Sequence, residues 1–273
     1  MLNLGLPSKI VAKPILRWAG SKRLLVPKLS LLAPSNFSRY VEPFCGSACL
    51  FLAADPEKAI LADLNPKLIA TYETIRSHPH KVSEMLETWI PNKDTYLKIR
   101  QQGRSSNRIW NAASFLFLNR KCFNGVYREN LKGEFNVPYG GDRTGKLPSV
   151  DDLLQFAAAL QKAELRCADF EEIVDLTENE DFLYLDPPYH YENNRNRGEY
   201  GYGAFSDIDI DRLTSALKRA DARGVKILVS YNRCHLLLKG LPGWKLSYCT
   251  ARRSVAGFSS ARRTVREYQI RNY

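Results

Sequence analysis

Five short apolar or β-branched runs punctuate the chain, at Arg39–Phe44, Lys58–Ala62, Glu164–Cys167, Phe182–Leu185 and Val225–Val229. Runs of this length, bounded by polar and turn-forming residues, are those of buried strands. Around them, Ser47–Ala54, Pro66–Ser77, Val150–Ala163 and Ile208–Ala222 carry apolar residues three to four positions apart, the spacing that lines one face of a helix. Ser206 and Asp207 stand as N-cap candidates for the last of these, and Gly224 as its stop. Strands that alternate with helices predict an α/β fold with a doubly wound parallel sheet.

Residues 78–148 break the alternation. They are rich in Lys, Arg, Asn and Gly, with aromatics at Trp89, Tyr96, Trp110, Phe115, Phe117, Phe123, Tyr127, Phe135 and Tyr139. This stretch reads as an insertion with its own small core. Inside it, Asn119–Tyr139 predicts a β-hairpin, with Asn124-Gly125 as a tight-turn signal.

Charge adds a partner to this picture. With 40 Lys and Arg against 29 Asp and Glu, the chain carries a formal +11, which points to an acidic partner. From Asn92 to Lys146 the basic residues are Lys93, Lys98, Arg100, Arg104, Arg108, Arg120, Lys121, Arg128, Lys132, Arg143 and Lys146, against acidic Asp94, Glu129, Glu134 and Asp142. A second basic cluster, Arg252, Arg253, Arg262, Arg263 and Arg266, lies near the C-terminus. Charge runs are commonly solvated faces. Aromatics and Asn interleaved with an excess of one sign favour a nucleic-acid surface instead.

A composition of 44% hydrophobic and 25% charged residues is that of an ordinary globular chain. No apolar run approaches the roughly 18 residues of a membrane span. Six cysteines without CxxC or zinc spacing predict neither a disulfide framework nor a metal site, and reduced thiols fit a cytoplasmic protein.

The sharpest chemical feature is Asp186-Pro187-Pro188-Tyr189, directly after an apolar strand, where open α/β sheets bind their ligands. Two prolines remove two donors, so Asp186 and the adjoining carbonyls form an acceptor-only edge beside an aromatic face. A flat ring with an exocyclic amine fits: Asp186 and the Pro187 carbonyl accept its N–H groups and Tyr189 stacks on the ring. Such bonds would aim the nitrogen lone pair at an electrophile. The competing reading is a rigid loop whose Asp caps the next helix. Val41–Gly46 reads as a strand entering a turn where Gly46 lets backbone approach a ligand. Asp63 ends the next strand 17 positions on, at the spacing of an acidic ribose ligand or, alternatively, as the cap of the helix at Pro66. By themselves, Trp18 reads as core and Lys22 as solvent-exposed.

The chain resembles the Dam-type DNA adenine N6-methyltransferases. The resemblance rests on Arg17-Trp-Ala-Gly-Ser-Lys22, Glu42-Pro-Phe-Cys-Gly-Ser-Ala48, Leu61-Ala-Asp-Leu-Asn65, Leu118–Arg128 running on through Gly133–Gly140, and Asp186–Tyr189, in the family's order. Ala48 stands where the family often has a second glycine. The insertion lies between the cofactor strand and the tetrapeptide, as in the family's alpha arrangement.

The resemblance implies a Rossmann-like methyltransferase sheet in which residues 1–65 and 149–273 form an S-adenosylmethionine-binding catalytic domain. Residues 66–148 would be a smaller, mainly helical target-recognition insertion carrying the hairpin. It implies catalysis by Asp186, Pro187, Pro188 and Tyr189, and S-adenosylmethionine held by Trp18, Lys22, Phe44, Gly46, Asp63 and Asp186, without a metal. Double-stranded DNA would be contacted by Arg17, Phe123 as a wedge, Asn124, Arg128 as a base-edge reader and Pro138. The reaction implied is methyl transfer to N6 of a flipped adenine in a short duplex site. N4-cytosine or RNA amino-methylation, and a non-catalytic DNA-binding module, are the alternatives. Also implied are a monomer in a bacterial or phage-infected cell, a companion restriction endonuclease being left open. His190–Gly203 is expected to cover the target pocket, with His190 an ordinary loop residue.

Overall fold

The computed structural model describes residues 12–18, 20–130, 132–141, 144–189, 205–232, 234–252 and 264–273. The His190–Gly203 cover and most of the second basic cluster therefore lie outside the described residues.

All five foreseen strands form: β1 (Tyr40–Glu42), β2 (Ala59–Ala62), β3 (Ala163–Arg166), β4 (Phe182–Leu185) and β5 (Lys226–Tyr231). They are parallel throughout, with Val41 beside Ile60 and Leu183, and Leu185 beside Val229. Two strands the apolar pattern does not announce, β6 (Lys245–Arg252) and β7 (Thr264–Arg271), extend the sheet in the order β3-β2-β1-β4-β5-β7-β6. β7 runs antiparallel to β5, so its early residues reach the edge at which the parallel strands end.

The helices start where side chains can satisfy the first free N–H groups. Asn65 accepts from Lys67 and Leu68 to open α3 (Pro66–Ser77). Ser149 with Asp152, and Ser206 with Asp209, make reciprocal capping boxes for α7 (Val150–Leu160) and α9 (Asp207–Ala222). Ser206 is thus the cap, whereas Asp207 is already helical.

Strand alternation sends Tyr40, Phe182, Tyr184 and Leu228 to one sheet face. They pack there with Leu29 of α1 (Val26–Leu32), Phe51 of α2 (Cys49–Ala54), Tyr72 of α3 and Phe156 of α7. The other face buries Val41, Ile60, Leu183, Ile227 and Val229 against α8 (Phe170–Asp175), α9 and α10 (His235–Gly240).

Residues 78–148 begin as α4 (Pro79–Glu87), α5 (Lys93–Gln102) and α6 (Arg108–Lys121). The expectation that they hold their own core is corrected. Val82, Tyr96, Phe115 and Phe117 belong to the same buried cluster as Tyr40 and Phe182, because α4 and α6 pack on the sheet-backed helix α3 and α5 packs on α6. The hairpin is also displaced. Asn119–Lys121 end α6, and Phe123–Gly125 form a single 3-10 turn. The chain reverses instead at Asn130–Gly133, where Gly133 N–H donates to Asn130 and Asn130 N–H to Glu134. The bridges Cys122–Tyr139 and Glu129–Phe135 join the two arms. No helix among the described residues is long and apolar enough to cross a membrane.

Candidate active site and nucleic-acid interface

Strands β1, β2, β3 and β4 all end at one edge of the sheet, and the loops that follow them enclose a cleft of about 210 Å³. Trp18, Lys22, Phe44, Gly46, Asp63 and the whole of Asp186–Tyr189 line it. Every catalytic and cofactor residue expected from sequence is thus gathered in one place.

The turn after β1 is tight. Gly46 sits at φ +43°, and a Cβ there would fall 2.7 Å from Cδ1 of Trp18. Its N–H donates to Asp63 (3.1 Å), and its carbonyl accepts from the Tyr72 hydroxyl (2.5 Å). Asp63 accepts a second backbone N–H from Asn65 (3.0 Å). It is therefore not the cap of α3, a role that Asn65 fills. Burial pushes the Asp63 carboxyl up to about 6, opposed by these two N–H donors. Ala48 adopts φ +52°, the left-handed conformation in which glycine costs least. Phe44 stacks on Phe170 at 5.5 Å, and Trp18 stacks on Tyr127 at 5.7 Å, so the cleft carries two aromatic walls.

The reading of Lys22 as solvent-exposed is overturned, since the residue is 7% exposed. Its ammonium pairs with Asp186 at 2.6 Å and Glu267 at 3.1 Å, and donates to the Tyr189 hydroxyl at 3.1 Å. Burial pushes Lys22 down, but Asp186, Tyr189 and Glu267 outweigh it and hold the ammonium well above its ordinary value. Asp186 is pushed up to about 6 by burial and by Glu267, against the pull of Lys22. Around the tetrapeptide, Tyr231 donates to the Pro188 carbonyl (3.0 Å), which ties the prolines to β5.

Sequence reading missed Glu42, Asp169, Tyr184, Tyr127 and Glu267. Asp169 had a signal, because it follows β3 at the ligand edge, caps α8 and lines the cleft. Glu42 also lines it, held well above the usual carboxylate range by burial. The buried Tyr184 hydroxyl, on a cleft-lining side chain, has no hydrogen-bond partner among the described residues. The other residues become visible only through neighbours distant in sequence.

The expected DNA residues sit on the insertion and the segment that grips it. Asn119 exchanges two hydrogen bonds with the Arg17 backbone (2.8 and 2.7 Å). Gly125, at φ +67°, presses on the Arg17 side chain, where a Cβ would come within 2.5 Å. Phe123 is 41% exposed, its N–H bonded to the carbonyl of the exposed Pro138. Arg128 reaches across the hairpin to Asn136 (2.8 Å). Arg100, Arg120 and Lys121 donate to backbone carbonyls, which are neutral acceptors, and Lys121 is buried. On α9, by contrast, Arg212 and Arg219 are each paired with carboxylates.

Residues 18–254 match the family model of D12 class N6 adenine-specific DNA methyltransferases. The chain is 30% identical to the type II methyltransferase M1.LlaDCHI of Lactococcus lactis subsp. cremoris, covering 100% of this chain and 99% of that one. It is 32% identical to a DNA adenine methylase of Vibrio cholerae, over 93% and 94% of the two chains. A conserved hypothetical protein of Streptococcus pyogenes overlays 90% of this chain and 92% of its own, at a TM-score of 0.39 and 13% identity, too loosely to add to this.

Proposed function

The chain belongs to the D12 class of N6 adenine-specific DNA methyltransferases, and from that premise we propose a residue-level account of its site. The cleft binds S-adenosylmethionine, and an adenine flipped from a short duplex site enters beside Asp186. The observation that carries the reading is the Asp186–Lys22 pair, at 2.6 Å in a largely buried setting at the mouth of the sheet.

The residues present suit such a donor. It is a cation at sulfur with an adenosine ring and an amino acid end. Among the lining carboxylates Asp186 pairs with Lys22 and Asp169 with Arg212, whereas Asp63 is held by two backbone N–H groups, so the cleft offers Asp63 as an acceptor to a positive ligand. Gly46 lets the Trp18 ring close on the turn, Asp63 suits ribose hydroxyls, and Phe44 and Trp18 offer faces for a flat ring. When bound, the donor supplies an electrophilic methyl group.

The chain does the rest by placement. Asp186 accepts one N–H of the adenine amine, and the Pro187 carbonyl accepts the other. This localises the nitrogen lone pair for attack. Lys22 keeps Asp186 ionised at neutral pH, so it acts as an acceptor. Tyr189 stacks on the extruded base and keeps water from it. The amine loses one proton as its nitrogen gains the methyl carbon, and Asp186, held near 6, can carry that proton towards solvent.

Residues 66–148 act as the reading module. Phe123 fills the gap left by the extruded base, Arg128 contacts a base edge, and Arg17, Asn124 and Pro138 line the approach. Expression in a strain lacking adenine methylation, with modified bases mapped by single-molecule sequencing, tests this. N6-methyladenine at one short motif is expected, lost with Asp186→Ala. Modified cytosine, or no modification by the intact chain, would overturn the reading.

A further inference from the structure

β7 carries a carboxylate that neither the motifs nor the family match singles out. Glu267 is 4% exposed, on an antiparallel strand that delivers it to the ligand edge. Both of its oxygens are occupied. One accepts from Lys22 (3.1 Å) and Ser230 (3.0 Å), and the other from the Tyr189 hydroxyl (2.6 Å). Lys22 in turn touches Asp186 at 2.6 Å and lies 5.1 Å above the Tyr189 ring. One side chain thus fixes both the cation that holds the acceptor carboxylate and the ring beside it.

We propose that Glu267 is a positioning residue for methyl transfer, orienting the Tyr189 ring and the Lys22 ammonium so that Asp186 meets the target amine. The proposal rests on the roles given above to Asp186 and Tyr189. A carboxylate placed only for stability is a poor device, because the desolvation it suffers on burial can exceed what its partners return. Removing one partner of a buried ion pair destabilises when it leaves the other charge unpaired, but Lys22 keeps Asp186 at 2.6 Å when Glu267 is neutralised. Function and stability should therefore separate in its variants.

The pH dependence carries the same distinction. Asp186 is faced by Lys22 from the N-terminal segment, Glu42 from β1, Cys49 from α2, Tyr184 from β4, Tyr189 from its own loop and Glu267 from β7. Glu267 contributes negative charge, so its loss makes Asp186 easier to ionise. The acid limb of the kcat profile then moves to lower pH.

The test uses the full chain with Glu267→Gln, Tyr189→Phe, their double variant, and Asp186→Ala as reference. Glu267→Gln should lower kcat by about tenfold or more, in keeping with the cost of small misplacements of reacting groups. Donor affinity by titration and the melting temperature should stay near wild type. The double variant should be little worse than the poorer single one, since both act through the Tyr189 hydroxyl. A 2-aminopurine at the target position should still brighten on extrusion, separating base entry from its alignment. Independent, multiplying losses, or an unmoved acid limb with near-normal kcat, would overturn the proposal. So would a kcat loss that follows the melting temperature alone. Turnover by Asp186→Ala would instead sink the reading on which it rests.

Discussion

Gly46 holds a backbone conformation few side chains tolerate, and Trp18 occupies the place a Cβ would take. Gly46→Ala should therefore cost about 1–3 kcal/mol, shared between folding and donor binding, as strain at a special φ does. Unchanged melting and titration curves would refute the close approach. At Asp186 the sign of the pH effect follows from its role as an ionised acceptor. With its carboxyl near 6, turnover should be full at pH 8 and fall as the pH drops through about 6. A profile flat down to the ordinary carboxylate range would mean that burial does not govern this group. Asp63, also near 6, works in the opposite sense on stability. Its pKa lies above the usual unfolded value of about 4, so protonation favours the fold. Its penalty is absent below that value and grows as pH rises through about 6. Relative to Asp63→Asn, the unliganded wild type should lose stability between pH 4 and pH 7, measured by denaturant titration. An unchanging difference would count against the buried, charged Asp63.

At the level of elements, the displaced hairpin alters what the insertion presents. Phe123 projects from a 3-10 turn anchored to Pro138, whereas Arg128 and Lys132 belong to the arm and tip beyond it. If Arg128 grips a base edge, Arg128→Ala should cost about 1–3 kcal/mol on the preferred site and much less on altered ones. Lys132→Ala, at an exposed tip, should weaken all sequences alike and reduce the salt slope by about one unit. Methylation kinetics on singly substituted duplexes separate the two, and a uniform loss for Arg128→Ala would move it to the phosphate class. The hairpin is also tied to the cleft: Tyr127 stacks on Trp18 and bonds Glu129, and Glu129 accepts from Lys67 at the start of α3 (2.7 Å).

Across the whole molecule, the shared core joins reading and catalytic parts. Tryptophan fluorescence, with Trp18, Trp89 and Trp110 packed on that one cluster, should change with far-UV ellipticity in a single thermal transition. Two separated transitions would restore an insertion with its own core. The basic face expected of the insertion from its charge excess predicts that log K for duplex DNA falls by about 0.9 per phosphate contact as log salt rises. Binding insensitive to salt would make that face merely solvated. The sequence by itself determined the five parallel strands, the helices that open near Pro66, Val150 and Asp207, and the motif residues of the cleft, because these depend on local periodicity and short motifs at strand ends. It did not announce Glu42, Asp169, Tyr184 and Tyr127. It determined the acidic partner through net charge. Only the tertiary structure decided where Lys22 and Glu267 lie. A charged residue looks solvent-exposed until its counter-charge, on a strand more than two hundred residues away, is seen to compensate its burial. It also decided that β6 and β7 complete the sheet, that the hairpin turns at Asn130–Gly133 rather than at Asn124-Gly125, and that the insertion borrows its core. Pairing partners and shared apolar faces are properties of neighbours in space, which spacing along the chain does not encode.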